Sequence, residues 1–235
     1  MKEKIRLQKF LSQKGLFSRR EVENMIRQKR LTINGKLATL GDRVIQGDQI
    51  FLDGVYLDIP KKIKRVVIAF FKPSGVECTW EKNSEEKTLA DFDFRQRVFN
   101  IGRLDKDSHG LLLLTNDGEL ANQLMHPKYK KEKEYLVVTN KDFDESFIKK
   151  LSEGIEISPK KITQKCFVEK VESKIFHIIL KEGKNRQIRR MCEKLNYRVM
   201  DLLRIRMGKI YLGDLKEGKF RFLSEIEVKS LQKYG

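Results

Sequence analysis

Between residues 5 and 14 the apolar positions Ile5, Leu7, Phe10 and Leu11 fall at helical spacing, and Gly15 stands where such a helix would end. Ser18-Arg19-Arg20-Glu21 then has the form of a capping box, and Val22, Met25 and Ile26 continue at the same period, so a second short helix follows. The period changes to two at Leu31-Thr32-Ile33, which runs into Asn34-Gly35, the strongest short signal for a hairpin. Gly41-Asp42, Gly47-Asp48 and Asp53-Gly54 punctuate further short strands, of which Gln49 to Leu52 is the clearest. Ile59-Pro60-Lys61-Lys62-Ile63-Lys64-Arg65 has no period, and its proline and charges read as a linker.

A continuous apolar run from Val66 to Phe71 ends at Lys72-Pro73-Ser74-Gly75, a buried strand entering a turn. Residues 76–88 are polar and unpatterned, an exposed loop in which Trp80 reads as a packing anchor rather than a stacking platform. Phe99 to Asp105 reads as a strand ending on a carboxylate, and Leu111 to Leu114 as a buried strand closed by Asn116-Asp117-Gly118. A helix over 119–125 stops at His126-Pro127. Strands are expected at 133–138, 162–171, 175–180, 198–206 and 209–212. Helices are expected near 143–151, opening in the stretch 183–191 with a stripe of Ile188, Met191, Cys192 and Leu195, and after Ser224. Strands outnumber helices and hairpin spacing dominates, so the class is α+β: a small N-terminal domain, two helices then a small sheet, followed by a mainly antiparallel mixed domain.

Charge alters this picture. The formal balance is +17, and residues 1–65 alone hold sixteen Lys and Arg against seven Asp and Glu, a net +9. Such an excess repels itself and points to a polyanion partner. Arg6, Lys9, Arg19, Arg20, Arg27 and Lys29 lie on or beside the two first helices, where they can neutralise phosphates. The longest apolar run is far too short to span a bilayer, and no amphipathic helix has an aromatic face, so no membrane partner is expected. Charges without an apolar core at the N-terminus predict no secretory signal. Cys78, Cys166 and Cys192 are odd in number and widely spaced, which fits reduced thiols and a cytoplasmic location. Neither they nor the three scattered histidines have metal-ligand spacing, so no metal is expected.

One stretch carries candidate chemistry. Gly102-Arg103-Leu104-Asp105 places a carboxylate where a packed strand gives way to the polar loop 106–110. Arg103 and Asp107, each two residues away, would share the strand face of Asp105. Taken alone the motif is short, and Asp105 paired with Asp107 would also suit a hydrolase of glycosidic bonds.

The longer text, GRLDKDSHGLLLLTNDGELANQLMHP followed by KEKEYLVV, resembles the active-site region of the RsuA/RluB/RluE/RluF family of pseudouridine synthases. KNRQIRRMCEKLNY lies nearest the RluF type, which acts on 23S, large-subunit ribosomal RNA. SRREVENMI and INGK resemble an S4 RNA-binding domain. The resemblance implies an S4 domain over 1–60, a linker over 61–65 and a catalytic domain over 66–235. It implies isomerisation of a uridine flipped out of its stack, attacked by Asp105, with no cofactor. Arg189, of the Gln-Ile-Arg motif, would be the basic partner of Asp105, and Tyr135 would stack on the base. Leu203, before Arg204, would close the pocket, and Arg103 would touch RNA near the vacated stack. Ribosomal RNA is the implied partner, with a tRNA left open as a second substrate, and no oligomer is required. A non-catalytic S4-type ribosome-assembly factor is the competing reading.

Overall fold

A computed structural model describes residues 4–82, 85–126, 129 and 131–232. The chain divides into two compact units, residues 1–65 with 116–118, and residues 66–115 with 119–235.

In the first unit β1 (Ile5–Arg6) leads directly into α1 (Leu7–Gln13), followed by α2 (Arg19–Arg27). The first helix thus starts two residues later than its apolar spacing predicts, because Ile5 and Arg6 pair with Val44 and Arg43 of a later strand. Ser18 caps α2 as expected: its Oγ accepts from Glu21 N at 3.1 Å, and Glu21 reaches back to Ser18 N at 2.5 Å. Next come β2 (Leu31–Ile33), β3 (Lys36–Leu37), β4 (Arg43–Val44), β5 (Ile50–Leu52) and β6 (Val55–Tyr56). The four strands in order β3-β2-β5-β6 form one sheet. Asn34 and Gly35 take φ of 50° and 81°, the left-handed pair that a two-residue hairpin needs. Leu7, Leu11, Val22, Leu31, Val44 and Ile50 close the core completely. The segment read as a linker is tied down within this unit. Lys14 Nζ donates to the carbonyls of Pro60 and Lys61 at 2.8 and 2.9 Å, and Arg65 pairs with Asp117 at 2.9 Å.

The second unit is built on one sheet. Its elements are β7 (Val67–Lys72), β8 (Phe99–Ile101), β9 (His109–Thr115), α3 (Gly118–Met125), β10 (Lys133–Thr139), α4 (Glu145–Glu153), β11 (Glu156–Ser158), β12 (Lys161–Ile162), β13 (Phe167–Glu172), β14 (Ile175–Leu180), α5 (Gln187–Lys194), β15 (Val199–Met207), β16 (Ile210–Tyr211), β17 (Phe220–Phe222) and α6 (Glu225–Gln232). The strand order is β13-β14-β10-β15-β9-β7-β17, with β8 on β9 and β16 on β15. Within this sheet every pairing among the described residues is antiparallel except β15 with β9. That parallel contact, Leu203 opposite His109 and Arg204 opposite Gly110, joins segments more than ninety residues apart.

Strand alternation sorts the side chains. Val67, Ala69, Leu111 and Leu113 face α3 in one core. Ile68, Phe70, Leu112 and Leu114 face the other way, with Leu89, Phe94 and Leu104. On that second face, Val137, Ile178 and Leu202 pack with Ile188 and Met191 of α5 and Phe147 of α4. Full burial of one such side chain contributes roughly 1.5–3 kcal/mol. Tyr135 touches both clusters of the second face. Among the described residues no helix is long and apolar enough to cross a membrane.

Two expected strands change. The strand that begins at Phe99 stops at Ile101, where pairing to β9 ends and Gly102 takes φ +74°. The long strand expected over 162–171 is split, since the chain breaks pairing between Ile162 and Phe167.

Gly110 is the tightest point. It lies between Lys72 of β7 and Arg204 of β15 at φ +106°, and a Cβ there would come within 2.7 Å of Arg204 N. We expect Gly110→Ala to destabilise the protein by at least about 2 kcal/mol, from the left-handed backbone and the clash together. Denaturant unfolding measures this, and a loss within about 0.5 kcal/mol would contradict the register.

Candidate active site

The loop from Leu104 to Ser108 is held at each residue. Leu104 N donates to Cys78 Sγ at 3.4 Å. The Asp105 carbonyl accepts from Ser108 N at 3.1 Å. The Lys106 carbonyl accepts from Gly75 N at 2.8 Å and from Lys72 Nζ at 3.4 Å. The Asp107 carbonyl accepts from Arg189 Nη2 at 2.8 Å, and the Ser108 hydroxyl lies 3.4 Å from the same nitrogen. A loop pinned in this way keeps its side chains in fixed directions.

Lys72 is the anchor beneath the loop. It is fully buried at the end of β7, and its ammonium also donates to the carbonyls of Pro73 and Val76 at 2.8 and 2.7 Å. Burial pulls its pKa down to about 8, helped by the nearby charge of Arg204 and opposed by the carboxylates of Asp107 and Asp105. Burial also brings Lys133 down to about 8, helped by the nearby charge of Arg204.

Asp107 is the anchor above. Arg186 grips it with two parallel bonds of 2.9 Å, Nη1 to Oδ1 and Nη2 to Oδ2. Arg189 Nε lies 3.2 Å from Oδ2 as an ion pair, at an angle too poor for a hydrogen bond. The Arg186 bonds first, then the charges of both arginines, hold the Asp107 carboxyl below its usual range. Arg186 caps α5 in the left-handed conformation, φ 49° and ψ 37°, which turns its side chain back over the loop.

A cleft of about 1040 Å³ opens beside this loop, and Arg103, Asp105, Tyr135, Arg186, Leu202 and Arg204 all line it. Asp105 is half-buried and, among the described residues, its carboxylate makes no hydrogen bond or ion pair. A carboxylate left unpaired inside a cationic cleft is available to a substrate as nucleophile or base. Tyr135 lies on β10 directly opposite Arg204 of β15, so the two share a face. Among the described residues no group of acidic, histidine or cysteine side chains could hold a metal ion.

Three expectations are corrected. Arg189 does not pair with Asp105: its guanidinium is spent on Asp107, on the loop backbone and on Val199 O at 3.0 Å, and it does not line the cleft. Leu203 does not line the cleft either. Alternation along β15 turns Leu202 and Arg204 toward it and sends Leu203 to the opposite core. Arg103 and Asp107 share no strand face with Asp105, because β8 ends at Ile101; Arg103 reaches the cleft from the loop instead.

Lys72, Arg186 and Arg204 were not singled out from the sequence. Lys72 closing an otherwise apolar buried run, and Arg204 inside the alternating Leu-Leu-Arg-Ile-Arg-Met, are signals that could have found those two; no local pattern marks Arg186.

In the first unit, Arg6, Arg19, Arg20, Arg27 and Lys29 are exposed and Lys9 is half-buried on α1. Arg27 leans on Asn24 Oδ1 at 3.2 Å.

A family model described as RNA pseudouridylate synthase matches residues 66–194, and an S4 domain model matches residues 5–50. The chain is 41% identical to the dual-specificity RNA pseudouridine synthase RluF of Escherichia coli K12, over 97% of this chain and 79% of that protein. It is 37% identical to the ribosomal large subunit pseudouridine synthase B of Bacillus subtilis, over 97% and 95% of the two chains. A crystal structure of a pseudouridylate synthase superposes with a TM-score of 0.71 at 29% identity, covering 97% of this chain and 99% of that one. The chain belongs to the RNA pseudouridylate synthase family.

Asp107 and its arginines are partly solvated, with Asp107 46% and Arg186 45% exposed, so the pair adds little to global stability. Its effect is on position. We expect Asp107→Asn to leave the melting temperature within about 3 °C of wild type while slowing single-turnover reaction between ~10- and ~100-fold, as displaced reacting groups do. A rate within twofold of wild type would show that the clamp does not position Asp105.

Proposed function

We propose that this RNA pseudouridylate synthase converts one specific uridine of ribosomal RNA, in the large subunit, to pseudouridine, with Asp105 as the reacting carboxylate and no cofactor. The observation that carries the reading is Asp105 itself, unpaired among the described residues in the cleft that Tyr135 and Arg103 also line. The reaction breaks the bond from ribose C1′ to uracil N1, turns the base and rejoins it through C5. Nothing is oxidised and no group is imported, so an ionised carboxylate, a shaped pocket and fixed charges suffice. The uridine must leave its stack to reach such a cleft. The ring of Tyr135 offers it a flat surface, and Arg103, exposed at the rim, meets the neighbouring RNA.

The large-subunit target rests on the name of the B. subtilis relative, and the dual specificity of the E. coli one leaves room for a second RNA, of which a tRNA is the candidate. The first unit supplies affinity: Arg6, Lys9, Arg19, Arg20, Arg27 and Lys29 neutralise phosphates on an S4 surface with a net +9 across residues 1–65. Arg189 acts at one remove, by holding the loop that carries Asp105.

Asp105→Asn separates this reading from that of a binding-only assembly factor. Pseudouridine formation releases the hydrogen at C5 of the target uridine, so transcribed large-subunit RNA labelled with tritium at C5 reports turnover. We expect release to fall by at least ~10³-fold, since an amide is a poor nucleophile and base, while RNA affinity and its salt dependence stay within a few-fold. Release at the wild-type rate would remove Asp105 from the chemistry.

A further inference from the structure

Register places four residues in one row across the central sheet: Lys72 of β7, Gly110 of β9, Arg204 of β15 and Tyr135 of β10. Residues in such a row share a face, here the cleft face. Gly110 brings no side chain, so β9 and β15 run close together and Arg204 crosses the gap. Arg204 is only 2% exposed, yet it lines the cleft floor. Its Nε donates to Leu111 O at 2.6 Å, which fixes the guanidinium. Its Nη2 is buried and, among the described residues, has no hydrogen-bond partner.

A buried, unpartnered guanidinium nitrogen is rare, because the lost hydration is not replaced. It is explained where a ligand brings the acceptor. The geometry favours one kind of ligand. Nε and Nη2 together form the side edge that grips a phosphate or carboxylate in pairs, but Nε is already used. Lys72 spends its ammonium on three backbone carbonyls, so it offers a charge rather than a second contact. Nη2 is thus a buried donor without a partner among the described residues, on the same sheet face as the Tyr135 ring, which suits one carbonyl oxygen at the edge of a planar base.

We propose that Arg204 is a catalytic residue whose Nη2 donates to a carbonyl oxygen of the flipped uracil and stabilises the negative charge that develops there. This rests on the pseudouridine synthase reading above. When C1′–N1 breaks, the electron pair leaves with N1 and spreads to O2 and O4, so the detached base is an anion. Asp105 meets the electron-poor C1′ while Arg204, with the Lys72 and Lys133 charges near it, meets the anion. The C5–C1′ bond then forms, C5 gives up its proton and N1 gains one, which leaves an isomer and no net change in atoms or charge.

The test uses the full chain with Arg204→Gln, which keeps a donor without charge, and Arg204→Lys, which keeps the charge. Single-turnover tritium release from C5-labelled large-subunit RNA is measured beside RNA affinity and thermal melting. We expect the Gln variant to react ~10²- to ~10³-fold more slowly with affinity within about threefold of wild type, as loss of one preorganised donor does. The Lys variant should recover at least ~10-fold of that loss. Weakened affinity at an unchanged rate would make Arg204 a binding contact and overturn the proposal. So would wild-type rates in the Gln variant, or failure of both variants to fold, which would assign the guanidinium to tying β9 to β15. No release by the wild-type protein on any ribosomal RNA would instead overturn the function reading itself.

Discussion

The site depends on one constraint: the five residues from Leu104 to Ser108 have almost no freedom. A buried ammonium and the Gly75 amide hold the loop from below, and two arginines at the start of α5 hold it from above. These anchors differ in kind. Lys72 sits in the dry interior, where three carbonyl acceptors offset the cost of burying its charge. Arg186 and Asp107 are nearly half solvated, so their bidentate geometry matters more than their Coulomb energy. Fixing the backbone on both sides leaves the Asp105 carboxylate as the one acidic group of the loop that no cation among the described residues occupies.

Charge in the second unit is arranged around that vacancy. Among the described residues cations surround Asp105 without touching it: its charge is felt at Lys72 and at Arg186, and Arg204 lies close enough to lower both Lys72 and Lys133. A carboxylate without a direct ion pair remains free to react, whereas a direct ion pair would have to break before each turnover. Tyr135 stands at the same place in the sheet because β10 and β15 pair Tyr135 with Arg204, just before their register shifts at Glu134. Bulges of this kind re-aim side chains beside functional sites. The first unit contributes a different field, a solvated one over exposed arginines, suited to phosphates rather than to chemistry.

Much of this was legible in order along the chain. The capping box at Ser18, the Asn34-Gly35 hairpin, the buried run Leu111–Leu114 and the stripe Ile188, Met191, Cys192 are local patterns, and local physics decides them. Asp105 and Tyr135 in one cleft followed from the resemblance rather than from periodicity. What was not legible is what long-range pairing decides. Nothing near Arg189 says that its partner is Asp107 and not Asp105, two residues away on a turning loop. Leu203 reads as a pocket residue until the alternation of β15 is set by its parallel contact with β9, which turns Arg204 inward instead. Gly102, at φ +74°, ended the strand that would have put Arg103, Asp105 and Asp107 on one face.

The central claim is that this pinned carboxylate isomerises a uridine of large-subunit ribosomal RNA. Pseudouridine mapping at nucleotide resolution, on ribosomal RNA from cells with and without this protein, tests it most directly. The account predicts that a large-subunit position carrying pseudouridine reverts to uridine when the protein is absent, with the other modified positions unchanged. An identical pseudouridine profile in the two RNAs would contradict it.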